Sequence, residues 1–258
     1  MRSTDIPRVD PVELPRFERE YRRVRRPVVL RGLVPERELS RWSFTALAAE
    51  FRDLTVPTHT TRAGVVTADP RRGVDTHPKA LVDLLEQLGG NREPSLYMMA
   101  RLSELPASWR ERITTPAYCA DAPWMSSKVW LSPRDTVTLT HRDATDNLHL
   151  QLLGSKRFTL FDSAQSACLY PNSLFSSVPN GCEVDPEAPD LARHPRFRDV
   201  QAERTELAPG DAVYIPRGTW HHVRTVADSL SVNFWWARGA RVPLAVAASL
   251  FKRLRRIG

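Results

Sequence analysis

From Lys128 onward the chain breaks into short apolar runs separated by turn residues, and this texture constrains the fold more than any other feature. Runs at 129–131, 137–141, 147–152, 157–161, 212–216, 221–226 and 229–236 have strand length and are rich in β-branched and aromatic residues. Gly154-Ser155, Pro209-Gly210-Asp211 and Arg217-Gly218 punctuate them, and Gly154-Ser155 reads as a hairpin turn. Many short strands with regular turns specify a barrel or a sandwich. The expected class is mainly β with added helices. One long irregular insertion, 162–200, interrupts the β region and carries five prolines from Pro171 to Pro195; insertions of this kind are often functional.

Two short motifs in this region carry chemistry. Thr138-Leu139-Thr140-His141-Arg142-Asp143 ends one predicted strand, and Trp220-His221-His222-Val223 opens another far downstream. Side chains at i and i+2 of a strand share a face, so His141 and Asp143 converge while Arg142 faces away. With His221 they make two imidazoles and a carboxylate. Three such ligands on one face of a metal leave the opposite positions open, the pattern of non-haem Fe(II) oxygenases. Cys119, Cys168 and Cys182 form no CxxC pair, which argues against a structural zinc site and suggests free thiols in a reducing compartment. A His-x-Asp alone has little specificity, since a surface His beside a surface Asp gives the same letters.

The first half of the chain reads as mixed. Leu14, Phe17, Tyr21 and Val24 have helical spacing; 27–32 is a short buried strand; 39–51 is helical with Ser43 as cap. A strand at 54–56, a basic loop at 60–74, a helix at 79–88 closed by Gly89-Gly90, a strand at 96–100 and a short helix or turn at 106–113 follow. The last segment, 242–257, is a predicted helix, apolar and then basic. This gives an N-terminal α/β extension (1–126), a catalytic β core (127–237) and a C-terminal helix (238–258). The net charge of +7 permits an acidic partner, although a solvated basic surface accounts for it equally well. No apolar run reaches the ~18 residues of a membrane span and no leader is apparent, so a cytoplasmic protein is expected.

Several blocks in the β region, in order, resemble the JmjC-type, cupin-like 2-oxoglutarate oxygenases, in particular the factor-inhibiting-HIF-like hydroxylase branch. They are Thr138-x-x-His141-x-Asp143; Asp146-Asn147-Leu148-x-x-Gln151-x-x-Gly154-x-Lys156-Arg157; Leu169-Tyr170-Pro171; Leu207-x-Pro209-Gly210-Asp211-x-x-Tyr214-Ile215-Pro216; Trp220-His221-His222-Val223; and Val232-Asn233-Phe234-Trp235. Arg26 to Gly32 looks like the family's opening strand. The resemblance implies a double-stranded β-helix (cupin, jelly-roll) core and an Fe(II)- and 2-oxoglutarate-dependent dioxygenase with O2 as co-substrate. It places the metal on His141, Asp143 and His221. It gives the far carboxylate of 2-oxoglutarate to Lys156, with Tyr97 and Thr138 as hydrogen-bonding partners, and puts Asn147 and Asn233 in the cofactor pocket. Trp235 borders the substrate by the same resemblance, and Arg142 is a second candidate there.

The remaining histidines have blander expectations. His222 points away from the metal, His149 is a satisfied barrel histidine, and His59, His77 and His194 are solvated. The substrate class stays open between a protein or peptide, an amino-acid-derived natural product and a tRNA base. The basic residues show no aromatic interleaving of the kind RNA binding uses. Rival classes are a non-catalytic cupin-like binding module and a 2-oxoglutarate-independent cupin enzyme. Lys156 and Tyr97 separate the last from a 2-oxoglutarate enzyme, which alone has a distal carboxylate to anchor. Val242, Leu244, Val246, Leu250 and Leu254 could form a homodimer, pack back on the domain, or lead a basic end to a membrane surface.

Overall fold

Two long strands run side by side through the whole molecule. The computed structural model describes every residue except 63, 67, 70–72, 75, 89–95, 177 and 248–258. The strands are β1 (Arg2–Asp5), β2 (Arg8–Val9), β3 (Val28–Leu30), β4 (Thr55–Arg62), β5 (Val65–Val66), β6 (Ala68–Asp69), β7 (Gly73–Val74) and β8 (Thr76–Ala80). They continue with β9 (Leu96–Arg101), β10 (Trp124–Ser132), β11 (Val137–Arg142), β12 (Asp146–Phe161), β13 (Gln201–Leu207), β14 (Ala212–Ile215) and β15 (Trp220–Ala237).

β12 and β15 pair antiparallel from Asp146↔Trp236 to Phe161↔Trp220, with register shifts between Gln151 and Lys156. The shifts bend the ribbon, because a bulge adds a residue to one strand and turns it. Each half then belongs to a different sheet. The first half of β12 and second half of β15 are flanked by β14, with β3 beyond it, and by β10, with β9 and β4 beyond it. The other halves are flanked by β13, with β1 beyond it, and by β11. Two sheets joined through a shared bent ribbon make the expected jelly-roll core.

The corner overturns one expectation. Gly154-Ser155 is not a hairpin turn; β12 passes straight through it. Gly154 sits at φ +66°, and a Cβ there would lie 1.8 Å from the backbone oxygen of Asp228 on β15. The glycine is required by close approach of the paired strand at a bend, not by reversal of the chain.

Strand alternation divides the polar from the apolar. Leu148, Leu150 and Leu152 on β12, Leu230, Val232 and Phe234 on β15, and Val129 and Leu131 on β10 enter the large core. The helical N-terminal segments cover this face, with Phe17, Leu47, Leu84 and Trp109 buried against it. Each fully buried leucine contributes about 2 kcal/mol. The opposite face of the same strands points between the sheets. There Val29, Val213 and Ile215 meet Phe158, Leu160 and Val223. Beside this apolar end lie buried His149, Asn147, Gln151, Ser231, Asn233 and Lys156.

Other local expectations meet the structure unevenly. Ser43 caps the helix Phe44–Glu50 through Ala46 N at 3.0 Å, but the predicted 39–51 helix is split, with Glu36–Leu39 a separate turn of helix. The 60–74 segment is not simply a loop: β4 extends to Arg62, and β5, β6 and β7 follow. His59 and His194 were expected in solvent, yet both are buried, His59 against Tyr97 and His194 against Tyr170. The Gly89-Gly90 cap lies outside the described residues, as does the terminal segment beyond 247, of which 242–247 is helical. No helix among the described residues is long and apolar enough to cross a membrane.

Candidate metal centre

His141, Asp143 and His221 come together at one end of the space between the sheets, with one ligand atom from each within 4.8 Å of the others. The two histidines are directly paired across β11 and β15, and their rings are 4.1 Å apart. Asp143 follows the end of β11 rather than continuing it, so the His-x-Asp pair converges through the strand end, not through alternation within it. Between Thr138 and His141 the register slips: Thr138 faces Val223 and His141 faces His221. The bulge puts these two residues, three apart in sequence, on the same interior face.

Both imidazoles are held in one tautomer by the backbone. His141 Nδ1 lies 2.8 Å from the Leu139 carbonyl and His221 Nδ1 lies 3.1 Å from the Thr219 carbonyl. A carbonyl only accepts, so each Nδ1 carries the proton and each Nε2 keeps its lone pair. His221 Nε2 is 3.7 Å from Asp143 Oδ2. That oxygen accepts from Trp235 Nε1 at 2.7 Å and from Asn147 Nδ2 at 3.3 Å. Such outer hydrogen bonds fix ligand orientation in metal sites.

The loops carrying the ligands are tied together. The Asp143 carbonyl accepts from Gly218 N at 2.8 Å, joining the turn before His221 to the residue after β11. Asp146, buried, takes Tyr214 Oη at 2.9 Å and Arg217 N at 3.2 Å on one oxygen, and faces Arg22 and Arg217 with the other. On the outer side of β11, Arg142 N donates to Asn180 O and Cys182 N to Thr140 O, so the 162–200 insertion docks beside the centre.

Deeper in the interior sits Lys156. It is 4% exposed and has no carboxylate partner among the described residues; its ammonium reaches Ser132 Oγ at 3.3 Å and stands 5.9 Å from the Trp130 ring. Burial alone lowers its pKa to about 7. Tyr97 stacks on Trp130 at 6.1 Å, and burial raises its phenol above its ordinary range. Around Lys156 the same strands bury Trp130 Nε1, Ser231 Oγ, Gln151 Oε1 and His149 Nε2 without a hydrogen-bond partner. A buried unpaired cation beside unsatisfied donors and acceptors is costly unless a polar ligand completes it. The donors in this set, Lys156 Nζ, Trp130 Nε1 and the Ser231 hydroxyl, therefore fit a small anionic group, and the triad fits a divalent metal with neutral nitrogen and carboxylate ligands.

The remaining predicted residues are placed as follows. Asn233 bridges Asn147 and His149. Trp235, expected to border the substrate, donates its indole N–H to Asp143 Oδ2, a contact only the structure reveals. Arg142 faces away from the triad, with its guanidinium 4.7 Å over Trp220. His222 points to Thr140 and Glu187. Asp185, Glu187 and His222 form a second group of ligand-type atoms, but Glu187 is already gripped by Arg224, whose guanidinium supplies the balancing charge.

A jelly-roll barrel with two histidines and a carboxylate close enough to hold one metal ion is a cupin-type arrangement. Residues 15–241 match the family model described as the cupin-like domain, and the chain belongs to that family. It is 28% identical to lysine-specific demethylase 8 of Xenopus tropicalis over 243 residues, covering 91% of this chain and 53% of that one. It is 27% identical to the human bifunctional peptidase and (3S)-lysyl hydroxylase over 272 residues, covering 90% of this chain and 84% of that protein. A Drosophila melanogaster Jumonji C domain-containing protein is 37% identical over 139 residues, covering 52% of this chain and 34% of that one. The chain thus spans about half the length of the demethylase 8 relative. These matches bear out the JmjC-type, cupin-like resemblance; they do not single out the factor-inhibiting-HIF-like branch.

Proposed function

We propose that this chain is an Fe(II)- and 2-oxoglutarate-dependent dioxygenase that hydroxylates a C–H bond of a protein, peptide or amino-acid-derived substrate. The observation that carries the reading is the pairing of the triad with Lys156, a buried cation on the same interior face with no counter-charge among the described residues. A facial triad alone suits any cupin enzyme. A fixed ammonium deep in the barrel suits only one whose co-substrate brings a second carboxylate. His141, Asp143 and His221 would hold the iron, with Lys156, Tyr97 and Thr138 on the far carboxylate of 2-oxoglutarate. Relatives whose names record a lysine demethylase and a lysyl hydroxylase favour a protein or peptide substrate over a tRNA base.

When bound, iron, 2-oxoglutarate and O2 would supply the oxidation: 2-oxoglutarate and O2 yield succinate and CO2 while one oxygen atom enters the substrate C–H bond. The protein's own part is positional. Leu139 and Thr219 carbonyls keep both Nε2 lone pairs directed inward, and Trp235 and Asn147 hold the Asp143 carboxylate. The apolar end around Phe158 and Val213 closes the barrel behind the site. A cytoplasmic setting belongs to this reading and is supported by three cysteines that are all free.

The deciding experiment is anaerobic addition of Fe(II) and then 2-oxoglutarate, with Lys156→Ala and His221→Ala alongside. The expected result is a visible charge-transfer band that vanishes without His221 and needs more 2-oxoglutarate without Lys156. Iron binding without a band would overturn the reading in favour of a 2-oxoglutarate-independent cupin enzyme. No iron binding would leave a barrel used for binding alone.

A further inference from the structure

His149 takes no part in the function argued above, yet it ends a chain of hydrogen bonds that starts at the metal carboxylate. Asn147 Nδ2 is 3.3 Å from Asp143 Oδ2, Asn233 Nδ2 is 2.7 Å from Asn147 Oδ1, and His149 Nδ1 is 2.7 Å from Asn233 Oδ1. Asn147, Asn233 and His149 are 1%, 5% and 4% exposed, so water does not substitute for a missing link. We propose that His149 is a positioning residue for Asp143: as the Nδ1–H tautomer it sets the direction of the chain His149→Asn233→Asn147→Asp143.

The direction follows from donor and acceptor chemistry. An ionised carboxylate only accepts, so Asn147 must turn its NH2 toward Asp143 and its oxygen toward Asn233. Asn233 then donates to Asn147 and presents its own oxygen to His149. Only a proton on Nδ1 completes the sequence. The rival arrangement puts the proton on Nε2, toward the Gln151 side of the ring. It leaves Nδ1 and Asn233 Oδ1 as two acceptors in contact, or, if both amides flip, leaves Asn147 Oδ1 against the Asp143 carboxylate. Either defect is buried, where an unsatisfied polar group costs about 1–3 kcal/mol.

The ring itself is neutral. Burial, helped by the charge of Lys156, pulls its pKa down to about 3. In this tautomer Nε2 is an acceptor on the Gln151 side of the ring, and both it and Gln151 Oε1 are buried without a hydrogen bond. The Phe158 ring packs against the imidazole in a T-shaped arrangement, with centroids 4.8 Å apart. The hydrogen bond to Asn233 sets the ring's orientation, and the carboxylate inherits it through two amides.

This inference rests on Asp143 being a metal ligand, and the test separates the two. Mn(II) affinity is measured by electron paramagnetic resonance on the full chain, the His149→Phe variant and the His149→Asn variant. Phenylalanine keeps the ring packing but has no donor. Asparagine returns an N–H to the position Nδ1 holds. Loss of an outer partner typically weakens metal binding 10–100-fold, and a partner two amides removed is expected at the lower end, about tenfold for H149F. H149N is expected to regain most of it. Equal affinity in H149F and the unmodified chain, or equal loss in both variants, would overturn the proposal. Two-bond proton–nitrogen NMR of the imidazoles gives a second readout that needs no metal, with H149N identifying the resonance. A neutral ring protonated at Nδ1 is expected, and a ring protonated at Nε2 would overturn the proposal even if the variants misfold. Absence of Mn(II) binding in the unmodified chain would sink the metal reading instead, with the tautomer still deciding the hydrogen-bond chain.

Discussion

The indole of Trp235 donates to Asp143 Oδ2 at 2.7 Å, so the last part of β15 steadies a carboxylate supplied by the loop after β11. With Asn147 on the same oxygen, the carboxylate is held from two strands at once. Removing only the indole N–H, as Trp235→Phe does, is expected to weaken Mn(II) or Fe(II) binding about tenfold, within the 10–100-fold range of outer-shell losses. The metal-free protein should unfold at nearly the same temperature, since Trp235 is only partly buried. Metal titration beside a melting curve checks both. Unchanged metal affinity would mean that Asn147 alone orients Asp143.

Lys156 makes a prediction in which stability and binding move in opposite directions. Its pKa falls from 10.5 to about 7 because burial disfavours the charge. Between these values the unfolded chain binds more protons than the folded one, so the lysine's contribution to stability rises with pH across that window. Below about pH 7 the full penalty of a buried charge is present. Lys156→Met should therefore raise the melting temperature of the ligand-free protein at neutral pH by a few degrees, an effect on the order of 1–2 kcal/mol. The same variant should bind 2-oxoglutarate at least tenfold more weakly. In the unmodified protein, binding a dicarboxylate should draw a proton onto Lys156 above pH 7, and affinity should fall as pH rises further. Calorimetry in buffers of different ionisation enthalpy measures that uptake. Binding without proton uptake would mean the ammonium does not meet the carboxylate.

Gly154 carries a purely structural prediction. An alanine Cβ would lie 1.8 Å from the Asp228 backbone oxygen at a φ of +66°. No flexible side chain can give way there, so β12 or β15 must shift at the corner joining the sheets. Gly154→Ala should cost about 3 kcal/mol, near the upper end of ordinary substitutions. Because Lys156 lies two residues on, 2-oxoglutarate affinity should fall more than metal affinity. Chemical denaturation gives the first quantity and paired titrations the second. A loss below about 1 kcal/mol would show that the corner accommodates a side chain.

The contrast between Gly154 and His141 explains what the sequence could reveal. The convergence of His141, Asp143 and His221 was legible because metal chemistry restricts ligand types, and motif order along the chain supplied the rest. The run at 147–152 reads as a strand and is one, and its alternation sends Leu148, Leu150 and Leu152 into the core. Gly154-Ser155 was misread because a glycine between two apolar runs has the same local signature whether the chain reverses or bends beneath its partner; only Asp228, far away in sequence, distinguishes them. His59 and His194 were misjudged for a related reason. Their burial depends on Tyr97 and Tyr170, not on neighbours along the chain. The contacts of Trp235 with Asp143 and of His149 with Asn233 are likewise invisible locally, since each is a hydrogen bond across strands.

Glu187 gives an acid-stability prediction for the insertion. Its carboxylate is held well below the usual range, first by the His222 imidazole facing it and then by Arg224. Arg224 Nε lies 2.9 Å from both its oxygens, and His222 Nε2 lies 3.6 Å from one of them. The pair fastens the 162–200 insertion to the outer face of β15, behind His221. A carboxylate with a depressed folded-state pKa stabilises above its ordinary value of 4.5, and that contribution is lost as pH falls toward the folded value. Glu187→Gln should therefore lower the melting temperature at neutral pH and flatten its decline below about pH 4.5. It should also speed proteolytic cleavage within the insertion, because the amide cannot reproduce the paired contact with the guanidinium. Melting curves across pH and a timed digest measure these effects. Parallel pH profiles for the two proteins would mean that the ion pair is screened and that the insertion is held by Phe197 and Trp220 in the apolar cluster beneath it.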